Sequence, residues 1–493
     1  MLKIESDSAN CNLPCASAPK RHPANIKVRF GADAQGKLQF AESDSIFNTG
    51  AYASWGPTVA NRVPIHATGP YFVPNARTSG KAIFTNNPPA GAFRGFGVPQ
   101  AAIAHEAMMD DLAEKLNIDR WEIRRRNAIK VGDTTHCGQL LTASCGLPAC
   151  LDAIKPSWEK FNAEVLAFNS ASKNSKRGVG VGCMWYGIGN TAMSNPSTIR
   201  VGISNTGKLT LYNGAADIGQ GTNTTLMQVC ADALGMSMAQ FDYVMGDTDR
   251  TADAGKSSAS RQAFVSGNAA MFAGQHLREQ ILRMANSSNA ARISLQDASL
   301  KIQDGDATKI IELTVLPADK NGDVLVGEGT FDPPTKPLDQ DGQGIPYATY
   351  GFGAQIALVE VDLELGTTKV LQIIAAHDVG KAINPQQVEG QIHGGIAQGL
   401  GMTLMEEYVP GLTDNLHDYL IPTIGDVPPI DVILIEDPEP LGPYGAKGVG
   451  EPALIPTPPA ILGAIRHATG IQMKFMPVTP HRLRAAILAT ISL

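Results

Sequence analysis

Five short segments carry residue types and spacings beyond what folding alone requires. In GPYGAKGVGEPALIP, Glu451 follows a glycine-rich loop. A carboxylate presented there can take a proton from a reacting group, the work of a general base. A lone glutamate is more often a solvated surface group, so this segment decides nothing by itself. In DIGQGTNTTLMQ, Gly219 and Gly221 flank Gln220 just before a helix-forming run. The free N–H groups of such an entry can receive an anion or a cofactor oxygen. An ordinary helix start would look the same. KSSASRQAFVSGNA places Ser258, Ala259 and Ser260 in a serine-rich turn opening a helix. Its hydroxyls can cap that helix or hold an oxyanion.

Two further segments are defined by glycine. TNNPPAGAFRGFGVPQ brackets Phe93, Arg94 and Phe96 with Gly91, Gly95 and Gly97. Such a loop packs backbone closely while two rings and a cation project; a glycine-rich hairpin with a buried phenylalanine is the plainer alternative. HDVGKAINPQQVEGQIHGGIAQGLG threads glycines through an apolar helical run. A glycine inside a helix costs roughly 1 kcal/mol relative to alanine, so the close approach of something is implied.

The elements that must position these segments follow from periodicity. Residues 24–60 alternate apolar and polar positions, as in IKVRF and KLQFAESDSIF, and read as antiparallel strands with turns at Gly31 and Gly36. Over residues 99–127 the spacing of Ile103, Ala107, Met108, Leu112 and Leu116 predicts a helix. The polar end of FNAEVLAFNSASKNSKR is the best candidate domain boundary. Beyond it, IRVGISNTGKLTLYNG reads as strands, residues 223–234 and 262–285 as helices, and ELTVL and AQIALVEVDLELGTTKVLQIIAAHDVG as strands. A helix is expected over 388–407 and a last one from near Pro459, with residues 331–350 as a long loop. Antiparallel strands with separate helices indicate an α+β fold.

Composition removes several function classes. A chain of 493 residues exceeds one ordinary core, so two or more domains are expected. The net charge of −7 gives no support to binding of nucleic acid or an anionic membrane. No run of 18 apolar residues exists to make a transmembrane helix, and MLKIESDSANCNLPCASAPKRHP lacks the apolar core of a secretory signal. The seven cysteines, Cys11, Cys15, Cys137, Cys145, Cys150, Cys183 and Cys230, are odd in number and scattered. That argues for reduced thiols and a cytoplasmic setting. Cys145 and Cys150 lack the paired CxxC set of a zinc or iron–sulfur site.

Taken together and in this order, GAFRGFGVPQ, GQG and KGVGEP resemble the molybdenum hydroxylases of the xanthine dehydrogenase and aldehyde oxidase type. The resemblance spans residues 20–490. It implies two molybdenum-cofactor-binding domains: residues 1–165, the later part of a first domain incomplete at its N-terminus, and residues 176–493, a second. Glu451 matches the family's general base beside molybdenum, and Gln220, after Gly219, a glutamine near the metal's apical face. Gln398 matches a glutamine on the cofactor; Ser258, Ala259 and Ser260 match its pterin-binding turn. Phe93, Arg94 and Gly95 match the loop beside the metal, and Phe96 the ring that stacks on substrate. Arg62 falls where xanthine-oxidising members carry a substrate-orienting arginine.

The implied reaction inserts a water-derived oxygen at an electron-poor C–H of an N-heteroaromatic, nicotinate-like or a purine such as xanthine. The implied cofactor is molybdopterin with molybdenum, in the cytosine dinucleotide form, with [2Fe–2S] and FAD on partner subunits. The chain has neither a Cys₄ set nor a GxGxxG fingerprint to carry those itself. Where purine oxidisers place another phenylalanine, MWYGIGNTAMSNPS offers Trp185, Tyr186 and Asn190. That stretch is similar to a split, nicotinate dehydrogenase-like subunit, with Tyr186 and Asn190 as pocket residues. An aldehyde oxidoreductase of the same family and a non-catalytic scaffold are the alternatives. A carbon-monoxide oxidiser would carry a cysteine in GAFRGFG, which has none. The family's GGGFGG-like cofactor loop does not occur ahead of Lys20, so either another polypeptide completes the site or the chain is a fragment. Purified alone, the chain is therefore expected to bind little molybdenum cofactor in metal and pterin analysis; stoichiometric cofactor would overturn that expectation.

Overall fold

The computed structural model describes residues 19–491, so the readings that concern Cys11, Cys15 and the first eighteen residues lie outside the described residues. Strands β1 (Ala24–Ala32), β2 (Leu38–Gly50) and β3 (Ala76–Phe84) form the first sheet, in that order. β1 and β2 make the expected antiparallel hairpin. Gly36, at φ 79°, serves its turn. Gly31 is not a turn: it stays in β1 at a register shift, where a Cβ would collide with the Phe40 ring. β2 and β3 run parallel, which requires a crossover, and α1 (Gly56–His66) supplies it. The strand reading therefore ends at residue 50 rather than 60.

The helix expected over 99–127 is two helices. α2 (Val98–Leu116) ends at Asn117, in the left-handed region at φ 52°. α3 (Arg120–Asn127) restarts from Asp119, whose carboxylate accepts the N–H groups of Trp121 and Glu122. α4 (Leu147–Ala171) then leads by a short link into β4 (Ser175–Gly187). The polar segment read as a boundary is that link, and one core beneath it joins Phe30, Ile123 and Trp158 to Val181 and Phe352.

After β4 come β5 (Ser197–Ser204), β6 (Leu209–Asn213), α5 (Thr222–Leu234) and β7 (Phe241–Met245). A π-helical turn, Gln262–Ser266, runs into α6 (Gly267–Met284). β8 (Arg292–Gln296), β9 (Ser299–Asp304) and β10 (Ala307–Glu312) form a small antiparallel sheet. ELTVL is not a strand: Leu313–Val315 forms a 3₁₀ turn because Leu313 drops into the core shared with β5 and α6. The remaining elements are β11 (Asp323–Phe331), β12 (Tyr350–Asp362), β13 (Thr368–Asp378), α7 (Pro385–Leu404), β14 (Ile430–Ile435), α8 (Thr457–Thr469) and α9 (Pro480–Ile491). The sheet orders are β14-β13-β12-β4 and β11-β5-β6-β7, and the fold is α+β.

Glycine decides how these layers meet. β4 reads KRGVGVGC, with Gly178, Gly180 and Gly182 on one face; a Cβ there would strike the backbone of Ala464, Ala460 and Pro456. α8 thus lies directly on the strand. The glycines of α7 work the same way: a Cβ at Gly395 would strike Ala453, and one at Gly399 would strike Thr457. What approaches that helix is the polypeptide of the Glu451–Thr457 turn.

A buried charge cluster ties α2 and α3 to β4. Arg124, fully buried, donates from Nε to Glu106 Oε2 at 2.7 Å, and Glu106 also accepts the Cys183 N–H at 2.9 Å and the Tyr71 hydroxyl at 2.5 Å. Burial pushes the Glu106 carboxyl up, but Arg124 and the donors from His105 and Tyr71 outweigh it and hold it at about 2. Removing one partner strands a buried charge at a cost of about 3–5 kcal/mol, so Glu106→Gln is expected to lower the melting temperature at neutral pH, read by circular dichroism. Because the folded value lies below the ordinary 4.5, this stabilisation is present above about pH 4.5 and lost as pH falls toward 2. Wild-type and Glu106→Gln melts should therefore converge in acid.

Candidate cofactor and active site

Four loops and α7 surround a cavity of about 550 Å³. The loop before α2 contributes Phe93, Arg94 and Phe96, and the loop before α5 contributes Gly219 and Gln220. The turn before α6 adds Ser258 and Ser260, α7 adds Gln387, Gln391 and Gln398, and the 446–451 loop adds Lys447 and Glu451. Segments up to 358 residues apart in sequence, Phe93 and Glu451, thus share one wall. Gly95 and Ala259 stand behind it, each supporting a neighbour.

Glu451 is the centre of the arrangement. Its Oε1 accepts the Ala259 N–H at 2.9 Å, and its own N–H donates to Ser260 Oγ at 2.8 Å. Its Oε2 is shut off from solvent and has no partner. Burial raises the carboxyl above its ordinary value, opposed first by Arg62, then by the Ala259 N–H, Arg94 and Arg21. Ala259 and Ser260 both lie in the left-handed region, φ 58° and 52°, a conformation that costs of order 1–3 kcal/mol per residue and persists only where surroundings impose it. The strain aims the Ala259 N–H at the Glu451 carboxylate and the Ser260 hydroxyl oxygen at the backbone N–H of the same residue.

Arg94 joins the other walls to it. Nε donates to Gly450 O at 2.5 Å and Nη2 to Gln391 O at 2.8 Å, one residue from Glu451 and one turn along α7. Its guanidinium is lowered to about 10 by burial, against the pull of Glu451. Phe96 is held at φ 48° between two left-handed glycines, Gly95 and Gly97, with its ring edge-on to Trp55 at 6.2 Å. Gln220 spends its amide inside its own loop: Oε1 accepts the Ile218 N–H at 2.6 Å, and Nε2 donates to Thr222 Oγ1 at 2.7 Å. Gln398 differs, since its Oε1 is buried and unpartnered on the cavity wall.

Arg62, Tyr186 and Asn190 are not brought to the cavity wall. The Arg62 guanidinium, 2% exposed, lies over the Tyr186 ring at 4.2 Å and the Tyr347 ring at 4.9 Å. It donates to Gly187 O and, at 3.3 Å, to Gly189 O. Tyr186 is fully buried and its hydroxyl has no partner.

Several residues of the site carry no motif signal of their own. Asp217 accepts the N–H groups of Gly219 at 2.8 Å and Asn223 at 3.1 Å, fastening the Gln220 loop to the start of α5. An aspartate ahead of a helix is a capping type, and that was the available signal. Gln391 and the buried Lys447–Asp378 pair, 2.6 Å apart, were visible only as members of longer segments.

The residues present fit a large polar cofactor. The wall offers an unpartnered amide oxygen at Gln398, hydroxyls at Ser258 and Ser260, and the N-terminal ends of α5 and α7. A Cβ at Gly219 would meet nothing within 4 Å, so that loop stands open to the cavity. The family described as "Molybdopterin cofactor-binding domain" matches residues 153–428, more than half of the chain, and a further domain of that description matches residues 14–128. The chain is 32% identical, over 98% of its length, to a xanthine dehydrogenase molybdenum-binding subunit of Escherichia coli O157:H7, and spans 64% of that relative. Among solved structures it resembles the aldehyde oxidoreductase of Desulfovibrio desulfuricans, with a TM-score of 0.86 at 30% identity over 97% of this chain and 50% of that one. It also resembles the quinoline 2-oxidoreductase of Pseudomonas putida 86, with a TM-score of 0.83 at 28% identity over 97% and 64%. With nine of the motif residues on one cavity wall and these matches across both domains, the chain belongs to the molybdopterin-binding family of the xanthine dehydrogenases and aldehyde oxidoreductases.

Proposed function

We propose that this chain carries the catalytic wall of a hydroxylase that inserts a water-derived oxygen at an electron-poor C–H of an N-heteroaromatic substrate, nicotinate-like or a purine. The observation that carries the reading is the asymmetry of Glu451, a residue of the cavity lining: one carboxylate oxygen is held by the Ala259 N–H, and the other is buried and unpartnered. A buried acceptor left unpaired costs about 1–3 kcal/mol, so its retention marks a group waiting for a donor. Burial also raises its basicity, which favours the uptake of a proton.

When bound, molybdopterin with molybdenum supplies the two-electron redox chemistry and activates the water-derived oxygen. Gln398, Ser258 and Ser260 would hold it through their amide and hydroxyl groups, with Gln220 and Gly219 at the opposite loop and the Arg94 loop beside it. Glu451 Oε2 then receives the proton released as oxygen is delivered. Phe96, and Phe93 with Arg21 stacked at 4.5 Å, give a flat substrate apolar faces to lie against. The cytosine dinucleotide form and [2Fe–2S] and FAD partner subunits belong to this same reading. They rest on the resemblance to multi-subunit relatives. Among the described residues, no helix is long and apolar enough to cross a membrane.

Aldehyde oxidation is the second reading. It is favoured by the likeness to the aldehyde oxidoreductase structure and by the absence of Arg62 from the cavity wall. Turnover of a purine, a pyridine carboxylate and an aromatic aldehyde by the complex purified with its partner subunits separates the two. Glu451→Gln should reduce turnover of the accepted substrate by roughly 10²–10⁴-fold with molybdenum content unchanged. A variant keeping more than about a tenth of the wild-type rate would remove Glu451 from the mechanism.

A further inference from the structure

The buried end of α1 has no part in the cavity, yet it is wired to the catalytic carboxylate. Arg62 and His66 face the end of β4 from one turn of α1. His66 accepts the Gly187 N–H on Nε2 at 3.1 Å, while its Nδ1 meets Arg62 O at 2.9 Å. Arg62 takes the carbonyls on the other side, Gly187 O and Gly189 O. The segment is thus gripped on donor and acceptor sides at once, with Tyr186 and Tyr347 stacked against the guanidinium. Gly189, at φ 101°, then turns its N–H to Ala259 O at 2.9 Å. Ala259 is the residue whose own N–H holds Glu451 Oε1.

We infer that Arg62 is a positioning residue for the general base, acting through Gly189 and Ala259, and does not contact substrate. This rests on the assignment of Glu451 as the base. Two residues, Gly189 and Ala259, link the guanidinium to the carboxylate through hydrogen bonds of 3.3, 2.9 and 2.9 Å. The left-handed turn at Ala259 and Ser260 is a strained conformation that needs external restraint, and the Gly189 N–H is the restraint on its carbonyl side. Arg62 also supplies the largest positive influence on Glu451, ahead of Arg94 and Arg21, so its charge keeps the buried carboxyl from rising further. One residue therefore sets both where the base stands and how readily it ionises. The Arg62 Nε, buried and unpartnered, stays available for a water or for a shift of the fork toward the loop.

The test uses the complex purified with its partner subunits and two variants. Arg62→Lys keeps the charge but loses the planar fork that spans two carbonyls. It should lower kcat by on the order of tenfold to a hundredfold, since displacement of a catalytic group by about 1 Å has that effect, with KM and molybdenum content close to wild type. The acidic limb of its pH–rate profile should stay in place. Arg62→Gln should lower kcat as well and move that limb to higher pH, because the neighbouring Arg94 and Arg21 alone compensate the burial of Glu451. In both variants, hydrogen–deuterium exchange should quicken in peptides covering 187–190 and 258–260 and stay unchanged at Arg94 and along α7. Exchange is read without turnover, so it stands or falls separately from the assignment of the base. Unchanged exchange in those peptides, or a raised KM with kcat retained, would overturn the proposal in favour of direct substrate contact. If Arg62→Gln does not accumulate folded, Arg62→Lys alone decides between these outcomes.

Discussion

The Glu451–Thr457 turn is seated between two glycine-lined surfaces, and the rest of the site takes its position from that seat. Gly395 and Gly399 of α7 admit it from one side. On the other, Gly178, Gly180 and Gly182 of β4 let α8, which continues the turn, lie against bare backbone. Any side chain at these points would push the chain outward by the width of a methyl group or more. Interiors packed at crystal density cannot absorb such a shift locally. The glycines of α7 and β4 therefore act as rulers for a carboxylate that neither element carries, and their helix and strand costs are offset by this placement.

Once the turn is fixed, polarity is divided unevenly around it. Oε1 and the Glu451 N–H are satisfied by two adjacent residues, Ala259 and Ser260, whereas Oε2 is left without a partner. Three arginines lie within electrostatic reach, but none donates to it: Arg94 is committed to the carbonyls of Gly450 and Gln391, Arg21 to Arg94 O at 2.8 Å, and Arg62 to Gly187 and Gly189. A direct ion pair would have pulled the carboxyl well down, as Arg124 does to Glu106. Held at one remove, the cations lessen the cost of burying the anion while leaving its basicity raised. Glu106 and Glu451 thus contrast in one chain: burial with a direct ion pair lowers the carboxyl, and burial without one raises it.

The site was more legible in the sequence than the scaffold. Gly219, Gln220, Phe93, Arg94, Phe96, Ser258, Ser260 and Glu451 come to a single cavity with Gln398 of α7 because each of the eight sits in a loop whose glycines or hydroxyls have no competing role in a regular element. Periodicity placed most of the large strands and helices, since it reports which face is buried. It does not report against what. The break at Asn117 was hidden because the apolar spacing continues through Ile118 and Ile123 across it. The α1 crossover was hidden because AYASWGPTVANRVPIH follows an alternating run without a clear capping residue; Trp55 makes no side-chain cap. ELTVL is rich in strand formers, yet Leu313 is drawn into a core that the strand would have left.

Arg62 shows where residue-by-residue reasoning stops. Spacing from Arg94 indicates which position it occupies along the chain, but the direction of its side chain depends on the two tyrosines that flank it. Tyr186 comes from the last turn of β4 and Tyr347 from the loop before β12, so their convergence is a property of the β4–β12 register, with Tyr350 opposite Gly187. That register also presses Tyr347 onto Gly187, where a Cβ would collide with its ring. The bare backbone of Gly187 lets the aromatic wall close, and the closed wall turns the guanidinium toward the carbonyls of β4. The guanidinium thereby joins the hydrogen-bonded frame that reaches Glu451 through Gly189 and Ala259. The cause is one strand pairing that no local pattern around residue 62 could reveal.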